Sequence, residues 1–98
     1  MNKVYSLLGL CMRAGMLVSG EFMVEKAIRA DKVKLVIVAE DASDNTKKKF
    51  RNMCNYRKLE LMIYGDKSSL GAALGKEIRA SIGITDENFA KNILSKID

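Results

Sequence analysis

Apolar strand-like runs alternate with amphipathic helical stretches along this chain, and that order predicts an α/β fold, a three-layer α-β-α sandwich around a short mixed sheet of about four strands. Two further observations support it. Leu35-Val36-Ile37-Val38 is apolar without alternation, which marks a strand covered on both faces. The 98 residues contain no proline, internal repeat or low-complexity stretch, so residues 1–98 read as one domain with no linker.

The first helix is expected over Lys3 to Ala14, because Val4, Leu7, Leu8 and Cys11 fall at i, i+3, i+4 and i+7 on one helical face. Gly15 suits the left-handed residue that ends it. Leu17-Val18 reads as a short extended piece, and Ser19 as the N-cap of a second helix that runs to Ala30 and buries Val24, Ala27 and Ile28. Lys34 to Ala39 is the first long strand. Ser43 or Asp44 caps a third helix with Phe50, Met53 and Cys54 inward. Leu61 to Tyr64 forms the next strand. A fourth helix begins at Lys67 or Ser68 and turns Leu70 and Leu74 to the core. Ile82-Gly83-Ile84 is the last strand. Thr85 caps a final helix with Phe89, Ile93, Leu94 and Ile97 facing the core.

The composition is that of a globular protein, with hydrophobic residues at 48% and charged residues at 30%. The longest apolar run is Leu35 to Ala39, far below the ~18 residues that span a bilayer, and no signal-peptide pattern opens the chain. The expectation is a cytoplasmic protein with no membrane partner. The formal net charge of +5 is unevenly spread: Lys26 to Lys58 holds ten basic and four acidic residues, so the rest of the chain is slightly acidic. Such a concentrated surplus suits a polyanion.

Several chemistries are excluded. There is no histidine, so no triad or general base built on imidazole exists. Cys11 and Cys54 lie on the apolar faces of predicted helices and read as buried thiols, and two lone cysteines do not make a zinc site. Gly71-Ala72-Ala73-Leu74-Gly75-Lys76-Glu77 is one residue short of a phosphate loop and has Glu77 where a hydroxyl is needed. Its two glycines read instead as points of close approach. Asp41 to Asn45 resembles the start of a calcium loop, but Thr46 and Asn52 replace its turn glycine and bidentate glutamate. No catalytic constellation, cofactor, metal or small-molecule substrate is expected.

Three features point to an anionic ligand. Ser19-Gly20-Glu21 opens a helix carrying Lys26 and Arg29, and helix N-terminal amides with nearby cations suit phosphate, although Glu21 opposes it. The third helix carries Asn45, Thr46, Lys47, Lys48, Lys49 and Arg51, a run that contacts phosphates without reading sequence. Arg79 leads into the last strand, where it reaches the Gly20 turn only if the fold joins those segments.

With these residues in hand, the chain resembles a known family. Leu7-Leu8-Gly9-Leu10, Val18-Ser19-Gly20-Glu21, Lys34-Leu35-Val36, Glu40-Asp41-Ala42-Ser43, Cys54-Asn55-Tyr56, Gly75-Lys76-Glu77 and Thr85-Asp86, in that order, are similar to the bacterial YlxQ-type branch of the ribosomal L-seven-Ae / L-thirty-e superfamily. The resemblance runs nearly end to end. It implies a ribosomal L-thirty-e-like sandwich that binds kink-turn RNA through the start of helix two and the loop after helix four. The family's helix-two motif reads Gly-x-Asn-Glu-x-x-Lys. Gly20 and Lys26 match it, whereas Phe22 and Met23 stand in place of Asn and Glu. The family's pair hydrogen-bonds the edges of sheared G·A pairs; Phe and Met lack such donors and acceptors, so Phe22 is expected to stack on an unpaired base or to pack.

The expected RNA-binding residues are therefore Ser19, Gly20, Glu21, Phe22, Lys26, Arg29, Lys47, Lys48, Lys76 and Arg79. The expected partner is structured RNA, ribosomal RNA foremost, with protein partners in a ribonucleoprotein. The competing expectation is a protein-interaction module anchored on Phe22 and Met23.

Overall fold

The computed structural model describes residues 2–97. Helices α1 (Lys3–Arg13), α2 (Glu21–Arg29), α3 (Asp44–Arg57), α4 (Lys67–Ala73) and α5 (Glu87–Lys96) alternate with strands β1 (Leu17–Ser19), β2 (Leu35–Val38), β3 (Glu60–Ile63) and β4 (Ser81–Ile84). The strands form one sheet in the order β1-β4-β2-β3. It is mixed: β4 runs antiparallel to both neighbours, and only β2 and β3 are parallel, joined by α3 as the crossover. The α/β class and the mixed four-stranded sheet agree with the expectation.

β2 lies inside the sheet and every one of its residues is buried, which accounts for its unbroken apolar run. β3 is an edge strand, with Glu60 exposed and Leu61 to Ile63 half-buried. Helix α1 packs against α4 and α5 on one side of the sheet, and α2 and α3 cover the other. The α2 side is close-packed at Gly83. A Cβ there would stand 3.1 Å from Val18, 3.3 Å from Val33 and 3.5 Å from Val24, so glycine lets α2 lie down on β4. Ile82 and Ile84 alternate to the opposite face, and both are fully buried.

The helix boundaries correct two expectations, and α4 starts at Lys67 as expected. Ser19 is not the cap of α2; Gly20 is, with no side-chain cap bond. Asp86, not Thr85, caps α5, accepting from the Phe89 amide at 2.9 Å. Asp66 caps α4 through the Ser69 amide at 2.8 Å. In the last two cases the carboxylate one residue away reaches the third amide and adds a negative charge at the positive end of the helix dipole. Ser43 caps α3 as expected, accepting from the Thr46 amide. Gly71 and Gly75 have different reasons to be glycine. Gly75 adopts φ 71 just past α4 with open space around it, so its role is conformational, whereas a Cβ on Gly71 would lie 1.6 Å from the Glu77 carbonyl oxygen.

Candidate nucleic-acid interface

The Gly20 turn joins β1 to α2. Its φ of 92 and ψ of 147 lie in a region open essentially to glycine alone. The Gly20 amide donates to the Ser81 carbonyl at 3.1 Å, and its own carbonyl accepts from the Val24 amide at 3.0 Å, the first bond of the helix. The amides of Glu21, Phe22 and Met23 therefore precede the helical ladder with no side-chain cap, a preformed anion-facing end.

The loop between α4 and β4 comes to the same place. Its path lies against α4, which Gly71 permits, and the Arg79 amide donates to the Lys67 carbonyl at 3.1 Å. Arg79 then reaches β1: its Nε donates to Ser19 Oγ at 3.0 Å and its Nη1 to the Ile78 carbonyl at 2.8 Å. This contact brings together residues 60 positions apart in sequence. Among the described residues no carboxylate lies within ion-pair distance of Arg79. A guanidinium fixed by neutral oxygens keeps its full charge for a ligand.

Not all the predicted cations are equally free. Arg29 is tied to Glu25 at 2.6 Å, so its charge is largely answered within α2. Glu21 turns sideways to α3, accepting from Thr46 Oγ1 at 3.3 Å and from Lys49 Nζ at 2.9 Å. Lys49 also pairs with Glu25, and that hydrogen bond, helped by Arg29, holds the Glu25 carboxyl below the usual carboxylate range. Glu25 and then Glu21 raise the Lys49 ammonium above its ordinary value. The acid expected to repel phosphate is thus compensated by a lysine of the neighbouring helix. Lys47 and Lys48 sit beside Lys49 on α3, each successive residue turning ~100° about the axis, and among the described residues neither has an ion partner. Lys26 has no ion partner among the described residues and borders a shallow groove of about 240 Å³ with Val18, Met23 and Lys32. Lys76 is exposed just after Gly75, its amide bonded to the Gly71 carbonyl.

Apolar side chains frame these cations. Phe22 is 74% exposed, Met23 48% and Ile78 57%. Ile78 was missed by sequence reasoning. Its signal was an isoleucine flanked by Glu77 and Arg79 with no helical or strand period to assign it to the core. Lys49 and Gly71 were noticed, but their parts in supporting α2 and the loop were not. Cys11 and Cys54 are buried free thiols, and the described residues contain no cluster able to hold a metal ion. No helix among the described residues is long and apolar enough to cross a membrane.

A glycine turn, an uncapped helix end and a fixed guanidinium thus lie together on one edge of this α-β-α sandwich. Comparison with known proteins gives the family. Residues 2–95 match the Ribosomal protein L7Ae/L30e/S12e/Gadd45 family, and the chain belongs to it. It is 44% identical over 94 residues to the RNA-binding protein YlxQ of Bacillus subtilis (strain 168), covering 96% of this chain and 94% of that protein. It is 38% identical over 97 residues to the RNA-binding protein YlxQ of Enterococcus faecium, covering 99% and 93% respectively. A solved structure, described as a protein with unknown function from Bacillus halodurans C, superimposes with a TM-score of 0.93 at 38% identity, over 97% of this chain and 96% of that one.

Proposed function

We propose that this protein is a non-enzymatic RNA-binding protein, a single cytoplasmic domain that takes structured, kink-turn-like RNA in a ribosome-associated ribonucleoprotein. The observation that carries this reading is the Arg79–Ser19 contact, which sets a guanidinium with no ion partner among the described residues beside the uncapped N-terminus of α2. Family membership and two relatives named for RNA binding point the same way. In this reading the α2 amides, Lys26 and Arg79 hold phosphates at the sharp bend of the RNA. Phe22 stacks on an unpaired base, with Met23 and Ile78 beside it. Lys47, Lys48 and Lys76 contact flanking phosphates, and Ser19 and Gly20 shape the turn. Glu21 and Arg29 act within the protein, steadying α2 through Lys49 and Glu25.

Because Phe22 and Met23 offer no hydrogen bonds to base edges, affinity rests on shape, stacking and charge. The test is a titration against three labelled RNAs at two salt concentrations: a kink-turn, the same helix with its G·A pairs made Watson–Crick, and a single strand. Preferential binding to the kink-turn is expected. Equal, steeply salt-dependent binding to all three would leave an RNA-binding protein without kink-turn specificity.

A second reading has its own observation. Phe22, Met23 and Ile78 are large, exposed and apolar, the composition of a protein-contact anchor. Failure to bind any of the three RNAs, with a protein partner retained after nuclease and high salt, selects that reading.

A further inference from the structure

The flank of α3 that faces β3 carries a basic groove with no part in the interface above. Arg51, Asn55 and Lys58 fall at i, i+4 and i+7 on one side of the helix. With Glu60 and Leu61 they line an open polar groove of about 360 Å³. All three are exposed, and among the described residues neither Arg51 nor Lys58 has a carboxylate within ion-pair distance. Lys49 and Arg57 of the same helix, by contrast, are both paired. Glu60 is the one acid in the lining, so the groove keeps a positive balance. Lys58 holds φ 55 and ψ 40, a left-handed conformation that glycine adopts with less strain.

The outward side of the same turns presents Tyr56, 84% exposed. The Arg57 guanidinium carbon stands 5.5 Å from its ring centroid, and Arg57 Nε is itself held to Asp31 at 3.6 Å. The ring is thus backed on one side by an anchored cation and open on the other. A guanidinium fork and an ammonium in a groove, with an aromatic plate alongside, are the elements that hold single-stranded nucleic acid: cations track the backbone and the ring stacks a base. An acidic peptide would use the cations but leave the ring without a purpose. At 1.5 Å per residue Tyr56 stands about 10 Å along α3 beyond Lys49, which meets α2, so the ring serves a different nucleotide from the one held at the start of α2.

We infer that the C-terminal end of α3 is a second RNA contact, in which the Arg51–Lys58 groove holds phosphates of a single-stranded segment flanking the bound RNA while Tyr56 stacks one of its bases. The inference rests on the RNA-binding reading above. It is tested by titrating the full chain with a kink-turn RNA, bare and carrying single-stranded extensions at its ends. Bare-RNA affinity reports the first interface, and the gain from an extension reports the second. The extension is expected to tighten wild-type binding roughly 10-fold. Lys58→Gly, Arg51→Gln and Tyr56→Ala should each remove most of that gain, and the two charge variants should lower the salt slope for the extended RNA by about one each. Lys58→Gly is the decisive variant, since it relieves backbone strain; it should bind bare RNA as wild type does and unfold at the same temperature or higher. The inference is overturned if the bare RNA binds and an extension adds nothing, or if the gain survives in Lys58→Gly and Arg51→Gln. An acidic peptide that binds in this groove while the extension gives no gain would assign it to a protein instead. Failure of wild type to bind either RNA removes the underlying reading and this one with it.

Discussion

Arg79 is the side chain on which the proposed interface turns. Its Nε–Ser19 Oγ bond joins the loop after α4 to the turn before α2 and, among the described residues, leaves the half-buried cation with no carboxylate in ion-pair distance. Arg79→Glu should lower RNA affinity by at least about 10-fold and the salt slope by about one. The fold should survive, because the two side-chain hydrogen bonds lost with Arg79 cost about 1 kcal/mol each. Parallel titrations and thermal melts check this, and unchanged affinity would remove Arg79 from the interface. The two thiols make a different prediction. Burial pushes Cys11 and Cys54 up to about 11, from an ordinary value of 9.0. The unfolded chain therefore loses these protons first as pH rises past about 9, and stability should fall from there towards pH 11. Below pH 8 both thiols stay protonated in either state and contribute no slope. Urea midpoints measured between pH 8 and 10.5 should fall less steeply in a Cys11→Ala, Cys54→Ala variant, whatever its absolute stability.

At the scale of elements, the interface depends on where α4 ends and how its loop returns. Gly71 lets the chain at Glu77 pass directly over the helix, and Gly75 gives the left-handed turn that starts the return. Gly71→Ala would drive a methyl into the Glu77 carbonyl, displacing the loop that carries Ile78 and Arg79. A loss of about 1–3 kcal/mol in stability is expected, together with weakened RNA binding. If RNA affinity proves intact in a variant destabilised by that much, the loop does not contribute to the interface. The glycine pair was visible in the sequence as a sign of close approach, but not which partner approached, because that partner is the chain's own loop. The pairing of α2 with α3 was hidden for a related reason. Glu21 reads as an acid in the first turn of a helix, and nothing local reveals that Lys49, 28 residues on, neutralises it.

Over the whole molecule, β2 is the element on which everything else rests. It pairs with β4 on one side and β3 on the other, and its residues are covered on both faces. Ile37→Ala at its centre should cost about 2–5 kcal/mol, from lost burial and the cavity left behind. Denaturant unfolding measures this; a cost below about 1 kcal/mol would mean that the sheet centre repacks more freely than its complete burial implies. The edges behave otherwise. β1 positions the Gly20 turn, and β3 borders the groove of Arg51 and Lys58, so both proposed contact surfaces lie where the sheet stops and helix ends emerge.

The sequence by itself determined the class of fold, the order of elements and nearly all the core positions. Those follow from periodicities of two and 3.6 residues, which are local properties of the chain. It also marked Gly20, Lys26 and Arg79, since an isolated glycine and cations outside the apolar pattern stand out without any structure. It misplaced the caps at Ser19 and Thr85, because serine or threonine and a neighbouring glycine or aspartate compete within one residue and the backbone angles decide between them. Only the tertiary structure decided which cations are free. Arg29 and Lys49 are answered by carboxylates, while Arg51, Lys58 and Arg79 have none among the described residues. Charge compensation acts across space between groups far apart in the chain, so a count of lysines and arginines gives the sign of the surface but not where its field reaches a ligand.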